Sequence, residues 1–174
     1  AGNTLGYLSV ARFDQQTTTK LHRDGGPDEC LLMLGYEPTA VVAELSVADY
    51  SRCAFELGLS PAEFLANHNP MFQANSAMLH PYTTPIGCFS QNEFQIVCIN
   101  NSRAGYTREK PRWQGLLHAA TILTPDESQR RVINSTLIAP VAQGIREVVT
   151  ADQIAEFLTT TAVRRQGYEK QHLA

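Results

Sequence analysis

No strong charge of one sign runs through this sequence, and no apolar stretch is long enough for a membrane. Net charge is −3 over 174 residues, with a pI near 5.9. Without a basic excess there is no electrostatic footprint for nucleic acid or an anionic lipid surface, so neither partner is expected. The apolar runs fall well short of the ~20 residues that span a bilayer. No charged-then-apolar signal segment opens the sequence as it stands. The four cysteines (Cys30, Cys53, Cys88 and Cys98) are scattered and form no CxxC pair. That excludes zinc-ribbon and thioredoxin-like readings. Scattered thiols in a chain of this size suit a reducing, cytoplasmic home. Repeats and low-complexity segments are absent too.

What is present is ordinary globular composition, 43% hydrophobic and 18% charged. The length suits one domain, residues 1–174, with a core of its own. Strand character marks Leu5–Phe13, Cys30–Tyr36, Val41–Val47, Phe94–Ile99, Leu116–Leu123 and Arg131–Ile138, all rich in β-branched or alternating apolar residues. Helices are expected over Asp49–Leu57, ended by Gly58, and from the Ser60-Pro61-Ala62-Glu63 capping box to about Asn67. A last helix starts at Thr150, with Gln153 three residues on and Ile154, Phe157 and Leu158 as its apolar side. Asn69–Gln91, with Pro70, Pro81 and Pro85, reads as irregular, and so does Asn100–Trp113. The pattern is mainly β with helical insertions, residues 48–113 forming a helical and loop insertion. Strands separated by loops of unequal length suit a sandwich or jelly roll better than a parallel α/β sheet.

Two places carry chemistry. His22-Arg23-Asp24 puts an imidazole and a carboxylate two residues apart, on the same side of an extended backbone. Gly25-Gly26-Pro27 then turns the chain away and leaves room for an ion. By itself such a tripeptide is more often a surface His and a turn-forming Asp, because a metal site is recognised by its whole ligand set. His118, inside the apolar run LLHAATIL, completes a candidate set. Arg130 and Arg131 follow after one turn; Arg is seldom buried without a partner, and its fork suits a bidentate carboxylate. Alternation lets only one of the two face inward. Arg131 shares its side with Ile133, Ser135 and Leu137, which tips the preference to it.

The order H-x-D, distant His, then Arg resembles the iron(II)- and 2-oxoglutarate-dependent oxygenases, whose core is a double-stranded β-helix, or jelly roll. The resemblance covers roughly residues 5–36 and 112–138. It implies Fe(II) held by His22, Asp24 and His118, which would be the catalytic centre, with 2-oxoglutarate as co-substrate gripped by Arg131 or Arg130. It further implies a dioxygenase that oxidises, most simply hydroxylates, a small molecule. A carboxylate at Asp24 fits oxygenation rather than halogenation. The family's Arg-x-Ser pattern is missing, since Ile133 stands two residues after Arg131. The competing readings are a cupin-type metal oxygenase without 2-oxoglutarate, or a non-enzymatic jelly-roll binding module.

Of the remaining candidates, His80 is the alternative ligand but has no Arg at the right distance. His68 ends a helix, and His172 has no assigned role. Asn100-Asn101-Ser102 offers polar groups or a turn. Tyr7, Ser9 and Arg12 are candidate pocket residues, and Trp113 a core anchor or substrate flank. Neither the substrate nor the oligomeric state is readable.

Overall fold

The computed structural model describes residues 3–72, 77–88, 90, 92–103, 115–142 and 149–165. Most elements follow from local pattern. β1 (Asn3–Asp14), β2 (Leu31–Tyr36), β3 (Val42–Ala48), β5 (Gln95–Asn100), β6 (Leu117–Thr124) and β7 (Val132–Ala142) sit where apolar alternation places strands. β2 buries every second residue, Leu32, Leu34 and Tyr36, as a strand with one face on a core must. Helix α1 (Tyr50–Glu56) is capped by Asp49, whose carboxylate accepts from the Arg52 amide, and Gly58 closes it with a φ of +71°. In α2 (Pro61–His68) and α3 (Ala151–Thr159) both capping boxes form, Ser60 with Glu63 and Thr150 with Gln153.

Three expectations need correction. Residues 69–91 are not wholly irregular: Ala77–Tyr82 is a 3₁₀ turn and Thr83–Cys88 is a strand, β4. The span 48–113 therefore carries β4 and β5, both integral to sheets, besides its helices. On α3, Ile154 and Phe157 are half-buried but Leu158 is 74% exposed, so the apolar side is narrower than its pattern implies. Past the helix, Arg164–Arg165 adds a two-residue parallel strand, β8, to the edge of β1. Trp113, His172 and most of the 100–113 loop lie outside the described residues.

The strands form two antiparallel sheets, consistent with a sandwich. The larger runs β5-β2-β7-β1, extended by β8, and the smaller runs β4-β3-β6. Residues 18–22 continue the smaller sheet beyond β6 without being a regular strand. Thr19 N–H donates to the Ala120 carbonyl at 2.9 Å, and the Ala120 and Ile122 amides donate to the Thr19 and Thr18 hydroxyls. With that segment included, the pairings run from the ends inward: β1 with β7, 18–22 with β6, β2 with β5, β3 with β4.

Cys30, Leu32, Leu34, Tyr36, Ile99, Ile133, Leu137 and Ala139 form the core on the inner face of the larger sheet. A second cluster, centred on Tyr50, Phe64, Leu79 and Leu117, seats the helices on the end of the smaller sheet. Gly115 lies at this junction. A Cβ there would collide with the Ser102 carbonyl oxygen and approach the Tyr50 ring at 2.9 Å. Gly115→Ala is therefore expected to cost about 1–3 kcal/mol, the usual scale of overpacking, read as a lowered midpoint in urea unfolding. An unchanged midpoint would mean that this junction yields easily.

Candidate metal centre

His22 and His118 face each other as an isolated antiparallel bridge. Each amide donates to the other's carbonyl, at 2.9 and 2.8 Å. Residues directly opposed in this way carry their side chains on the same side, and the ring centroids lie 4.3 Å apart. Asp24, two residues on, returns to that side, with its Oδ1 3.5 Å from His22 Nε2. One ligand atom from each of His22, Asp24 and His118 lies within 4.8 Å of the others. Among the described residues this is the group suited to a metal ion. His80, on the exposed 3₁₀ turn, is not part of it, and the His68 ring packs on Phe64 at 5.5 Å.

The surroundings prepare these side chains as ligands. His22 Nδ1 is 2.7 Å from the Lys20 carbonyl. A carbonyl can only accept, so Nδ1 carries the proton and Nε2 keeps its lone pair. Burial pushes the His22 pKa down, but the Asp24 carboxylate and the Lys20 carbonyl outweigh it and leave it raised. Burial likewise pushes Asp24 up, and the contact with His22 together with the charges of His118, His22 and Arg23 outweighs this, leaving it below its ordinary value. Burial, reinforced by His22, takes His118 down to about 4. His118 is thus a neutral imidazole at physiological pH, the form that binds metals. Its Nδ1 is buried without a hydrogen-bond partner. A two-histidine, one-carboxylate set with an orphaned imidazole nitrogen fits a divalent transition metal.

The three residues open on a cavity of about 290 Å³ between the sheets. Its walls are mostly apolar (Phe13, Leu34, Leu45, Ile133), with Gln15, Thr19, Tyr36 and Ser135 as polar points. Ile133 and Ser135 line it, as the alternation from Arg131 requires. From β1 it is Ala11 and Phe13 that contribute, not Arg12, which lies on the other face bound to Glu37 and Asn134. A bulge between Tyr7 and Ser9 inserts Leu8 and puts Tyr7 out of phase with Ala11 and Phe13; Ser9 keeps their phase, and neither Tyr7 nor Ser9 lines the cavity.

Of the two arginines, Arg130 is exposed and Arg131 is 2% exposed. Arg131 Nη1 donates to the Gln15 side-chain oxygen at 2.8 Å, and its guanidinium lies 5.0 Å from the centre of the Tyr36 ring. Its Nη2 is buried without a partner. Burial lowers its pKa, with Tyr36 and Asp14 countering; an arginine keeps its charge through such shifts. Gln15 and Tyr36 both line the cavity, so Arg131 is connected to it through them.

Pattern reading missed how the H-x-D loop is held. Arg23, between the two ligands, donates from Nε to the Asn101 carbonyl at 2.6 Å and from Nη2 to the carbonyls of Gly26 and Pro27. Asn101 is fully buried and bonds the Asp24 backbone through its side chain. Ser102 exchanges hydrogen bonds with the Cys30 backbone, and its carbonyl accepts from the Tyr50 hydroxyl at 3.0 Å. A polar Asn-Asn-Ser run directly after a strand was the available signal, but nothing local distinguishes it from a turn. No family model matches the chain, and neither a curated protein nor a solved structure shows significant similarity to it.

Proposed function

We propose that the protein is an iron(II)- and 2-oxoglutarate-dependent dioxygenase acting on a small molecule. The observation that carries this is the bridged pair His22 and His118 with Asp24 beside them, at a cavity between two sheets. Such a set occupies one face of an octahedral ion and leaves three positions open, as non-haem iron oxygenases require. A jelly roll is in effect one long antiparallel hairpin rolled up, so its first strand pairs with its last, its second with the next to last, and so on. The end-inward pairings of β1 to β7, with 18–22 as the second strand, support that fold.

Iron(II) held by these three residues would activate dioxygen, one oxygen atom going to 2-oxoglutarate as it becomes succinate and carbon dioxide and the other to the substrate. The chain's own part is placement. The Lys20 carbonyl fixes the His22 ring and its tautomer. Burial keeps His118 unprotonated. The apolar walls limit water at the reacting centre. Arg131, with one buried nitrogen lacking a partner, is the group we assign to the far carboxylate of 2-oxoglutarate, with Gln15 and Tyr36 as the polar wall in front of it. One observation favours the cupin-type reading instead: Gln15 already occupies Arg131 Nη1, which suits an arginine with a purely structural part. The test is anaerobic loading with iron(II), then oxygen with 2-oxoglutarate, following succinate. One iron per chain and succinate formation that depends on iron are expected. Iron binding without succinate would move the cupin-type reading ahead, and failure to bind iron would remove both.

A further inference from the structure

Asp24 has a problem that the two histidines do not share. His22 and His118 are fixed by their mutual backbone bridge. Asp24 lies beyond the end of that bridge, before Gly25-Gly26, where no strand partner is left for its amide and carbonyl. The Asn101 side chain takes both roles. Its Oδ1 accepts from Asp24 N–H at 3.1 Å, and its Nδ2 donates to the Asp24 carbonyl at 3.1 Å. A carboxamide presents one acceptor and one donor side by side, so it completes the ladder as the backbone of a neighbouring residue would.

Asn101 is itself held from three sides. Its N–H donates to the Cys30 carbonyl at 3.1 Å, its carbonyl accepts from Arg23 Nε, and its Nδ2 lies 3.4 Å from Cys30 Sγ. With no solvent exposure, it has no water to turn toward. The Asp24 carboxylate, by contrast, is about a third exposed. Its direction is therefore set by its backbone more than by packing around the side chain.

We infer that Asn101 is the positioning residue for the metal-binding carboxylate, holding the Asp24 backbone so that Oδ1 meets the two imidazoles. The inference rests on the metal reading of the site and adds a residue that never touches the ion. Groups that orient ligands from behind typically contribute 10–100-fold in metal affinity. Asn101→Ala removes both hydrogen bonds. Asn101→Asp keeps the acceptor for the Asp24 amide, removes the donor to its carbonyl, and stays nearly isosteric.

The experiment is cobalt(II) titration of the full chain and both variants, followed by the visible absorption of bound cobalt. Both variants should bind roughly 10–100-fold more weakly. Their spectra at saturation should also differ from that of the parent, because a displaced carboxylate changes the ligand field. A residue that only stabilises the fold would leave the saturated spectrum alone. Parental affinity and spectrum in either folded variant overturn the inference. If Asn101→Ala does not fold, Asn101→Asp decides. If the parent chain takes up no cobalt, the metal reading falls, and this inference with it.

Discussion

Asp24→Ala and His118→Ala are each expected to abolish stoichiometric iron(II) binding, weakening it by well over the roughly 100-fold that loss of a mere supporting group can cost. Each removes one of the three candidate ligands, and no other His, Cys, Asp or Glu among the described residues joins the group. The two differ in what else they disturb. The Asp24 side chain is 38% exposed, so its loss should shift the unfolding midpoint little. His118 is 6% exposed at the end of the core, and its truncation leaves a void. For that reason His118→Gln accompanies it, preserving volume. His80→Ala is the control and should bind iron as the parent does. Iron binding measured anaerobically by equilibrium dialysis, with far-UV circular dichroism of each variant, checks all of this. Parental iron content in both Asp24→Ala and His118→Ala would refute the assignment.

Arg131→Ala is the second change with a large expected effect. If the guanidinium grips 2-oxoglutarate, the lost contact is a desolvated charge pair, worth on the order of 2–5 kcal/mol. Apparent affinity for 2-oxoglutarate should then fall by roughly 30-fold or more, at about 1.4 kcal/mol per decade. Iron binding should persist, because Arg131 is not in the ligand group. Lys should rescue only in part, since it cannot make the two-pronged contact. Arg130→Ala should change nothing, because that side chain is exposed. Arg131→Ala also leaves a large buried void beside Tyr36 and takes the donor from Gln15. Its folded fraction must therefore be measured alongside, and Arg131→Lys carries the comparison if Ala proves too unstable. The readout is titration of the anaerobic iron(II) complex with 2-oxoglutarate, followed by its visible charge-transfer band. Unchanged 2-oxoglutarate affinity in a folded Arg131 variant would separate this arginine from the co-substrate and favour the cupin-type reading.

Local chemistry made much of this fold legible. Alternation in LLMLGY marks β2, and the Ser60/Glu63 and Thr150/Gln153 pairs mark helix starts, because these signals act within a few residues. β4 escaped because Pro85 and Gly87 look like breakers. They are tolerated since β4 is an edge strand whose register already shifts opposite Leu45 and Ser46. At the site, the spacing of His22 and Asp24 and the strand setting of His118 pointed to three residues that do converge. Strand parity let only one of Arg130 and Arg131 face inward, the make-up of its face tipped the choice to Arg131, and Arg131 is the buried one. On β1, Arg12 stands between Ala11 and Phe13, which line the cavity, so plain alternation puts it on the opposite face. Asn101 was beyond reach because its part depends on a loop far away in sequence.

The end-inward pairing of strands also has a consequence in time. His22 can meet His118 only after β6 exists, and the sheet beside them closes only when β7 docks between β1 and β2. Contacts so distant along the chain are slow to form, since a large loop must close before they are rewarded. A chain still emerging from the ribosome would hold His22 and Asp24 without their partner. Metal capture should thus come among the last events of maturation, and it would act as a lock on two finished sheets rather than a seed for building them. In refolding followed by both intrinsic fluorescence and cobalt absorbance, the cobalt signal should rise no earlier than the final fluorescence phase.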